Sequence, residues 1–195
     1  RRARIIFEGT VGKYFDFYIV PDFGNGASTL VDAYGEFKFS SAIKLKGGKF
    51  KVPFGLERFQ SDTVNNFVEV GLPSNLTPNR EGGFQLSGDI LKETTNYSVG
   101  IFNGSADFAS VAAQDADNNN DKDVVGRVFV QPFKKNGPEL FKGFGVGLAG
   151  SFGHNEGNTI PTYKSTGQAS IFSYSSGVTA DGLHRRIAPQ LYFYK

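Results

Sequence analysis

The sequence predicts an all-β, antiparallel fold, and three observations carry that prediction. Apolar side chains recur at every second position through nearly every segment. No segment holds a sustained helical stripe, and the connections between segments alternate short with long.

Taken in chain order, the strands read as follows. Phe15, Phe17, Ile19 and Phe23 share one face against Asp16, Tyr18, Val20 and Asp22. Val31, Ala33, Phe37 and Phe39 then oppose Asp32, Tyr34, Glu36 and Lys38. Phe84, Leu86 and Ile90 oppose Gln85, Ser87 and Asp89, and Tyr97, Val99 and Ile101 oppose Ser98. Val124, Val128 and Val130 oppose Arg127 and Gln131, while Phe144, Val146, Leu148 and Phe152 oppose Gly145, Gly147, Ala149 and Ser151. Ile187, Leu191 and Phe193 close the series against Arg186 and Gln190. Successive side chains of a strand point to opposite faces, so each run defines one apolar and one polar face.

The connections complete the pattern. Gly12-Lys13, Ser40 to Ala42 and Lys92 to Thr95 read as tight turns, whereas Leu56 to Arg80, Asn103 to Asp123 and Asn155 to Thr166 are long and polar or irregular. An up-and-down barrel in a membrane has short turns on one rim and long loops on the other. A soluble sandwich also alternates, and the pattern alone leaves it open. The polar face favours the barrel: it carries small residues and charges of both signs, as a water-filled lumen requires.

One stretch breaks the phase. In AIKLKGGKFKV, Lys44 and Lys46 alternate with Ile43 and Leu45, but Lys49 and Lys51 alternate with Phe50 and Val52 on the opposite parity. A bulge at Gly47-Gly48 would insert one residue and restore the face. All four lysines would then point into the lumen, with Ile43, Leu45, Phe50 and Val52 toward lipid. An end of strand pairing near Gly48 is the other reading. Lysine on the lipid face would cost about 2–4 kcal/mol at the bilayer midplane, which favours the bulge.

Composition bounds the function. The chain has 195 residues and a net charge of +2, from 21 basic and 19 acidic residues, so no single-sign field points to nucleic acid. Phe is abundant at 20, with 8 Tyr and 25 Gly, and there is no Cys, Met or Trp. Without Cys there is no disulfide framework, thiolate metal site or Cys nucleophile. His154 and His184 are the only histidines and lack metal-ligand spacing, so both are expected at the surface. No nucleophile elbow or phosphate-cradling loop occurs. GFGVGLAG, 143 to 150, lies inside an alternating strand and reads as small residues lining a wall. DADNNNDKD, 115 to 123, reads as a solvated loop tip, since it lacks the spacing and closing Glu of an EF-hand. An enzyme is therefore not expected, nor a cofactor. Because the chain opens in RRARIIF and stops in LYFYK, both strand-like, it is expected to be partial.

Several segments resemble the phosphate-selective porin O and P family of outer-membrane channels: RRARIIFEGT, KFKVPFGLERFQS, LPSNLTPNREGGFQLSG, NYSVGIFNG, GRVFVQPF and RRIAPQLYFYK, in that order. KFK-x-PFGLE together with APQLYFYK is the most specific part. The resemblance implies a bacterial outer-membrane location, a sixteen-stranded transmembrane β-barrel of which about ten strands are present, and a homotrimer. It also implies a basic constriction that passes small anions such as phosphate, with 56 to 80 as the loop that folds inward. Ten strands would leave two unpaired edges in lipid, each exposed backbone group costing several kcal/mol, so something further must cover them.

The resemblance also assigns residues. Its paired arginines match Arg1 and Arg2, its orienting acid Asp32, its strand lysine Lys46, and the basic residue after FGLE matches Arg58, with Ser61 three residues on. Lys44 and Lys49 join these as expected pore-lining residues. A family lysine falls where Thr63 stands, and the family's arginine ladder has no counterpart beyond Lys164. Glu8, Asp16, Asp22, Glu36 and Asp89 fall on lumen positions and temper the field. Arg2, Lys46 and Arg58 are expected to converge, with Asp32 holding one of them. Two function classes follow: an anion-preferring diffusion channel, or a structural barrel within a larger envelope assembly with little transport of its own.

Overall fold

The computed structural model of the protein describes residues 3–26, 28–60, 71–104, 121–160, 162–165 and 169–194. Eleven strands occur among them. They are β1 (Phe7–Val11), β2 (Phe15–Asp22), β3 (Thr29–Lys38), β4 (Lys44–Lys51), β5 (Arg80–Ile90), β6 (Thr95–Phe102), β7 (Asp123–Val130), β8 (Phe144–Thr159), β9 (Tyr163–Lys164), β10 (Ser170–Phe172) and β11 (Thr179–Phe193). Helical structure among the described residues is limited to one turn, α1 (Leu56–Phe59), and short 3-10 turns such as Leu72–Leu76.

Nine strands form one antiparallel sheet in the order β1-β2-β3-β4-β5-β6-β7-β8-β11, so every strand pairs with its neighbour in sequence apart from the excursion of β9 and β10, which form their own small hairpin. This meander follows from the connections. Residues 12–14, 39–43, 91–94 and 131–143 join strands at one edge; 23–28, 52–79, 103–122 and 160–178 join them at the other. The expected asymmetry is therefore present, with one tight turn made unusually: Leu91, Lys92 and Glu93 all adopt positive φ. The sandwich reading fails, because one sheet holds nine of the strands and Phe152, on its apolar face, is 49% exposed. Closure is different. Among the described residues β1 and β11 form the two edges and do not pair with each other.

Register carries the two faces across the sheet without interruption at its centre. One lateral row reads Phe15, Phe37, Leu45, Leu86, Val99, Gly126, Gly150, Ile187. The opposite face carries Thr10, Asp16, Glu36, Lys46, Gln85, Gly100, Val125, Ser151, Arg186. Leu45, Leu86, Val99 and Ile187 of the first row are all exposed, Ile187 at 78%. Large apolar side chains left open over a whole sheet face are what lipid contact requires and water penalises.

The abundance of Gly and Phe has a shared cause. A side chain at Gly9 would strike the Phe17 ring opposite it, and one at Gly47 would strike Phe84. On the polar face, Gly145 and Gly147 stand under the Phe129 ring, which also stacks on Tyr192 at 5.0 Å. Rings thus lie over bare backbone on neighbouring strands, burying apolar area where glycine has none to offer.

The lysine stretch departs from expectation. No bulge forms at Gly47-Gly48: the pairing of β4 with β3 and with β5 runs through both glycines without a shift. Gly48 instead adopts φ +130, and a Cβ there would lie 2.2 Å from the Ala33 carbonyl oxygen. Lys49 accordingly falls in register with Ala33 and Gly82, in the row of Ile19, and its side chain is buried. Phe50 and Val52 do not face lipid. They are 3% and 2% exposed, in a cluster with Phe54, Phe102, Val125 and Ala149, against which Tyr34 and Ala188 pack. The reason is a third surface that alternation does not encode. The chain after β4 returns across the polar face and creates a dry patch there, so apolar residues on that face find partners.

Candidate functional site: the covered polar face

The site is built where the segment after β4 lies on the polar face. Phe54 enters the dry cluster, and the Gln190 side-chain amide of β11 donates to the Phe54 carbonyl. Lys51 Nζ donates to the Gln60 carbonyl at 2.5 Å. Phe59 of α1 lies against the Arg127 guanidinium of β7, 5.0 Å from ring centroid to Cζ. The segment braces itself as well. Glu57 accepts from the Gly71 backbone N–H at 2.8 Å and from the Ser74 hydroxyl, and Arg58 Nε donates to the Ser74 carbonyl at 3.1 Å. Asn75 Nδ2 reaches the Lys164 carbonyl at 2.8 Å, tying in the β9–β10 hairpin.

Charges on this face come mostly in pairs. Lys44 meets Asp89 at 2.9 Å, Lys38 meets Asp16 at 2.6 Å, and Arg4 meets Asp22 at 2.9 Å. Lys46 stands 3.2 Å from Glu36 and over the Tyr34 ring at 4.4 Å. Arg80 Nε donates to both Asp32 oxygens, at 2.9 and 3.1 Å, and both residues are buried. At β7 and β11, His184 Nε2 lies 2.8 Å from Asp123 Oδ2, with Arg186 Nη1 3.8 Å from the same oxygen. Asp123 is buried at 2%, and Gly153 leaves room for it: a Cβ there would overlap its carboxylate. Paired charges orient one another but cancel at a distance, so each pair presents a dipole rather than a full charge to an ion passing by.

Comparison with known proteins decides the class. The family model for phosphate-selective porin O and P matches residues 1–167. The chain belongs to this family. No curated protein matches the chain. The match stops short of RRIAPQLYFYK, so the resemblance read in that stretch lies beyond it. As a porin, the protein is a channel-forming, non-enzymatic transport protein of the bacterial outer membrane, and its exposed apolar sheet face lies in lipid.

The expected site residues of this porin separate. Arg1, Arg2, Ser61 and Thr63 lie outside the described residues, as does 115–120 of the acidic loop. Lys44 and Lys46 sit on the polar face as expected. Asp32 is engaged by Arg80, which the sequence reading did not single out, rather than by Lys46 or Arg58. Arg58 is held inside the covering segment by Ser74. His184 is not a surface residue: its side chain is 15% exposed, in the Asp123 pair, whereas His154 is exposed beside Asp121. Among the described residues no group of His, Cys, Asp and Glu is arranged to hold a metal. Arg80, Arg127 and Gln190 are the residues that sequence reasoning missed. The parity of Arg127 and Gln190 placed them on the polar face, but nothing local revealed that they meet each other and the covering segment.

Proposed function

We propose that the polar face lines a water-filled pore through which small anions pass in preference to cations, and that the loop expected at 56–80 narrows it, a reading supported by the described stretches 52–60 and 71–79 on that face. The observation that carries this reading is the covering segment itself: it is pinned to the sheet face that carries Lys44, Lys46 and Arg127, away from the lipid-facing side. A pore selects by bringing charges close to an ion in a narrow passage, strongly enough to admit it and weakly enough to release it. Lys46, Arg80 and Arg127 supply positive charge there, and Glu36, Asp32 and Asp89 moderate it, which favours general anion preference over tight phosphate discrimination. Thr63 in the place of a family lysine and the lack of an arginine ladder in the sequence support the same conclusion.

The sheet is part of a barrel wall in this reading, with β1 and β11 covered by further strands, because open edges in hydrocarbon leave backbone groups unsatisfied. The assembly is a homotrimer, as the family resemblance implies. The purified porin in a planar bilayer under a KCl gradient tests the proposal: the reversal potential should have the sign of chloride preference. A cation-preferring potential overturns it. Negligible conductance would favour the structural-barrel reading, which the dry Phe50–Phe54–Phe102 cluster on the polar face makes concrete.

A further inference from the structure

The excursion between β8 and β11 differs in chemistry from the wall it leaves. The polar face of the sheet carries charges of both signs, whereas residues 165–180 contain no charged side chain and are rich in serine and threonine. Within the excursion, β9 and β10 pair with Phe172 opposite Tyr163. Ser165 helps to close this hairpin: its N–H donates to the Ala169 carbonyl, and its hydroxyl accepts from the Ala169 N–H. β8 and β11 pair with each other out to Thr159 and Thr179, so the hairpin is no part of the wall and its side chains belong to neither face of the nine-stranded sheet.

Three rings meet on this hairpin. Phe172 and Tyr174 stand edge to face, 5.0 Å between centroids at 82°, and Tyr163 lies 6.2 Å from Phe172 and 6.5 Å from Tyr174. Phe172 and Tyr174 nonetheless remain 51% and 45% exposed. Rings that gathered only to leave water would be covered; these keep open faces, flanked in sequence by Ser170, Ser173 and Ser175. The hairpin is held to the covering segment, where the buried Asn75 donates to the Lys164 carbonyl at 2.8 Å. Its place is therefore beside that segment, on the polar-face side of the sheet and away from lipid.

We propose that Tyr163, Phe172 and Tyr174 form a recognition platform for a dissolved, neutral oligosaccharide at the long-loop edge of the sheet. A pyranose ring carries C–H groups on its faces and hydroxyls around its rim. The C–H face stacks on an aromatic ring, and the rim needs hydroxyl and amide partners, with no formal charge to neutralise. The hairpin presents that combination, and the charged polar face does not. A lipid surface would call for a broad apolar face with basic residues beside it, and residues 165–180 have serines in place of both. The platform serves a solute class different from the small anions assigned to the pore, and only its siting beside a passage rests on that reading.

The test titrates the full porin, in detergent, with maltohexaose by calorimetry, and saturable binding is expected. Phe172→Ala should weaken it at least about tenfold, as loss of an aromatic anchor does. Phe172→Tyr keeps a ring there and should bind within about threefold of the wild type. Ile171→Ser removes a neighbouring exposed apolar side chain that is not one of the three rings, and should leave the affinity within about twofold. A wild type without saturable binding overturns the proposal, as does a Phe172→Tyr variant as weak as Phe172→Ala. Equal losses in Ile171→Ser and Phe172→Ala overturn it too, since a general apolar surface for lipid, detergent or a second copy of the chain would respond to both. Because the readout is binding and not current, the outcome is separable from the function reading. A cation-preferring wild type that still binds maltohexaose through Phe172 sinks the anion preference and keeps the platform; a chloride-preferring wild type that ignores maltohexaose does the reverse.

Discussion

Glu36 is the most direct lever on the field of the polar face. Its carboxylate stands 3.2 Å from Lys46 Nζ, both side chains are less than one-fifth exposed, and Glu36 shares a row with Lys46 and Asp16. Glu36→Gln preserves shape and removes one negative charge, leaving Lys46 uncancelled. For an ion in pore water about 8 Å from that carboxylate, the deleted charge is worth about 0.5 kcal/mol at the dielectric constant of water. That energy is a factor of about 2.4 in favour of the anion and against the cation, so the permeability ratio should rise about sixfold. The lower dielectric of a narrow passage would enlarge the effect, and salt would shrink it. The assay is the reversal potential across a KCl gradient, repeated from about 0.01 M, where the screening length is about 30 Å, to about 1 M, where it is about 3 Å. The shift toward chloride should be largest in dilute salt and should vanish in concentrated salt. A reversal potential that does not move in dilute salt would refute the placement of this face along the ion path, since no charge so close to the pathway could be silent there.

Three further outcomes are expected. Asp32→Asn leaves the buried Arg80 guanidinium without its charge partner and should destabilise the folded porin by about 3–5 kcal/mol, read as a lowered urea midpoint; adding Arg80→Gln should recover part of the loss. Gly48→Ala forces a side chain into φ +130 and against the Ala33 carbonyl, so it should cost at least about 1–3 kcal/mol in the same measurement, and a neutral result would refute the close approach of β3 and β4. Leu148→Lys puts a charge on the exposed apolar face and should lower the stability of the vesicle-inserted porin by about 2–4 kcal/mol if that position lies near the bilayer midplane; insertion as stable as the wild type would argue against lipid contact there.

Much of this porin could be read along the chain. The two faces were legible because strand parity is local: Phe37, Leu45, Leu86 and Val99 show their side of the sheet from their own neighbours alone. The up-and-down order was legible for a similar reason, since tight turns such as 12–14 and 91–94 leave no choice but adjacent antiparallel pairing. Parity also placed Lys46, Arg127 and Gln190 on the polar side. Three things were decided only in three dimensions. Asp32 meets Arg80 across 48 residues of chain, a contact that strand parity hides, because Arg80 pairs with Lys51 in the alternation of Gly82 and Phe84. Gly48 takes up the lysine stretch through its backbone angle, without an inserted residue, a choice that glycine permits and that the letters G-G do not specify. Phe50 and Val52 are buried on the face that alternation marks as wet, because the chain returns over that face and brings Phe54 and Phe59 with it. A two-face pattern records whether a position points one way or the other. It carries no information about a third surface laid on top, and that surface is where this porin gathers the residues proposed to handle its ions.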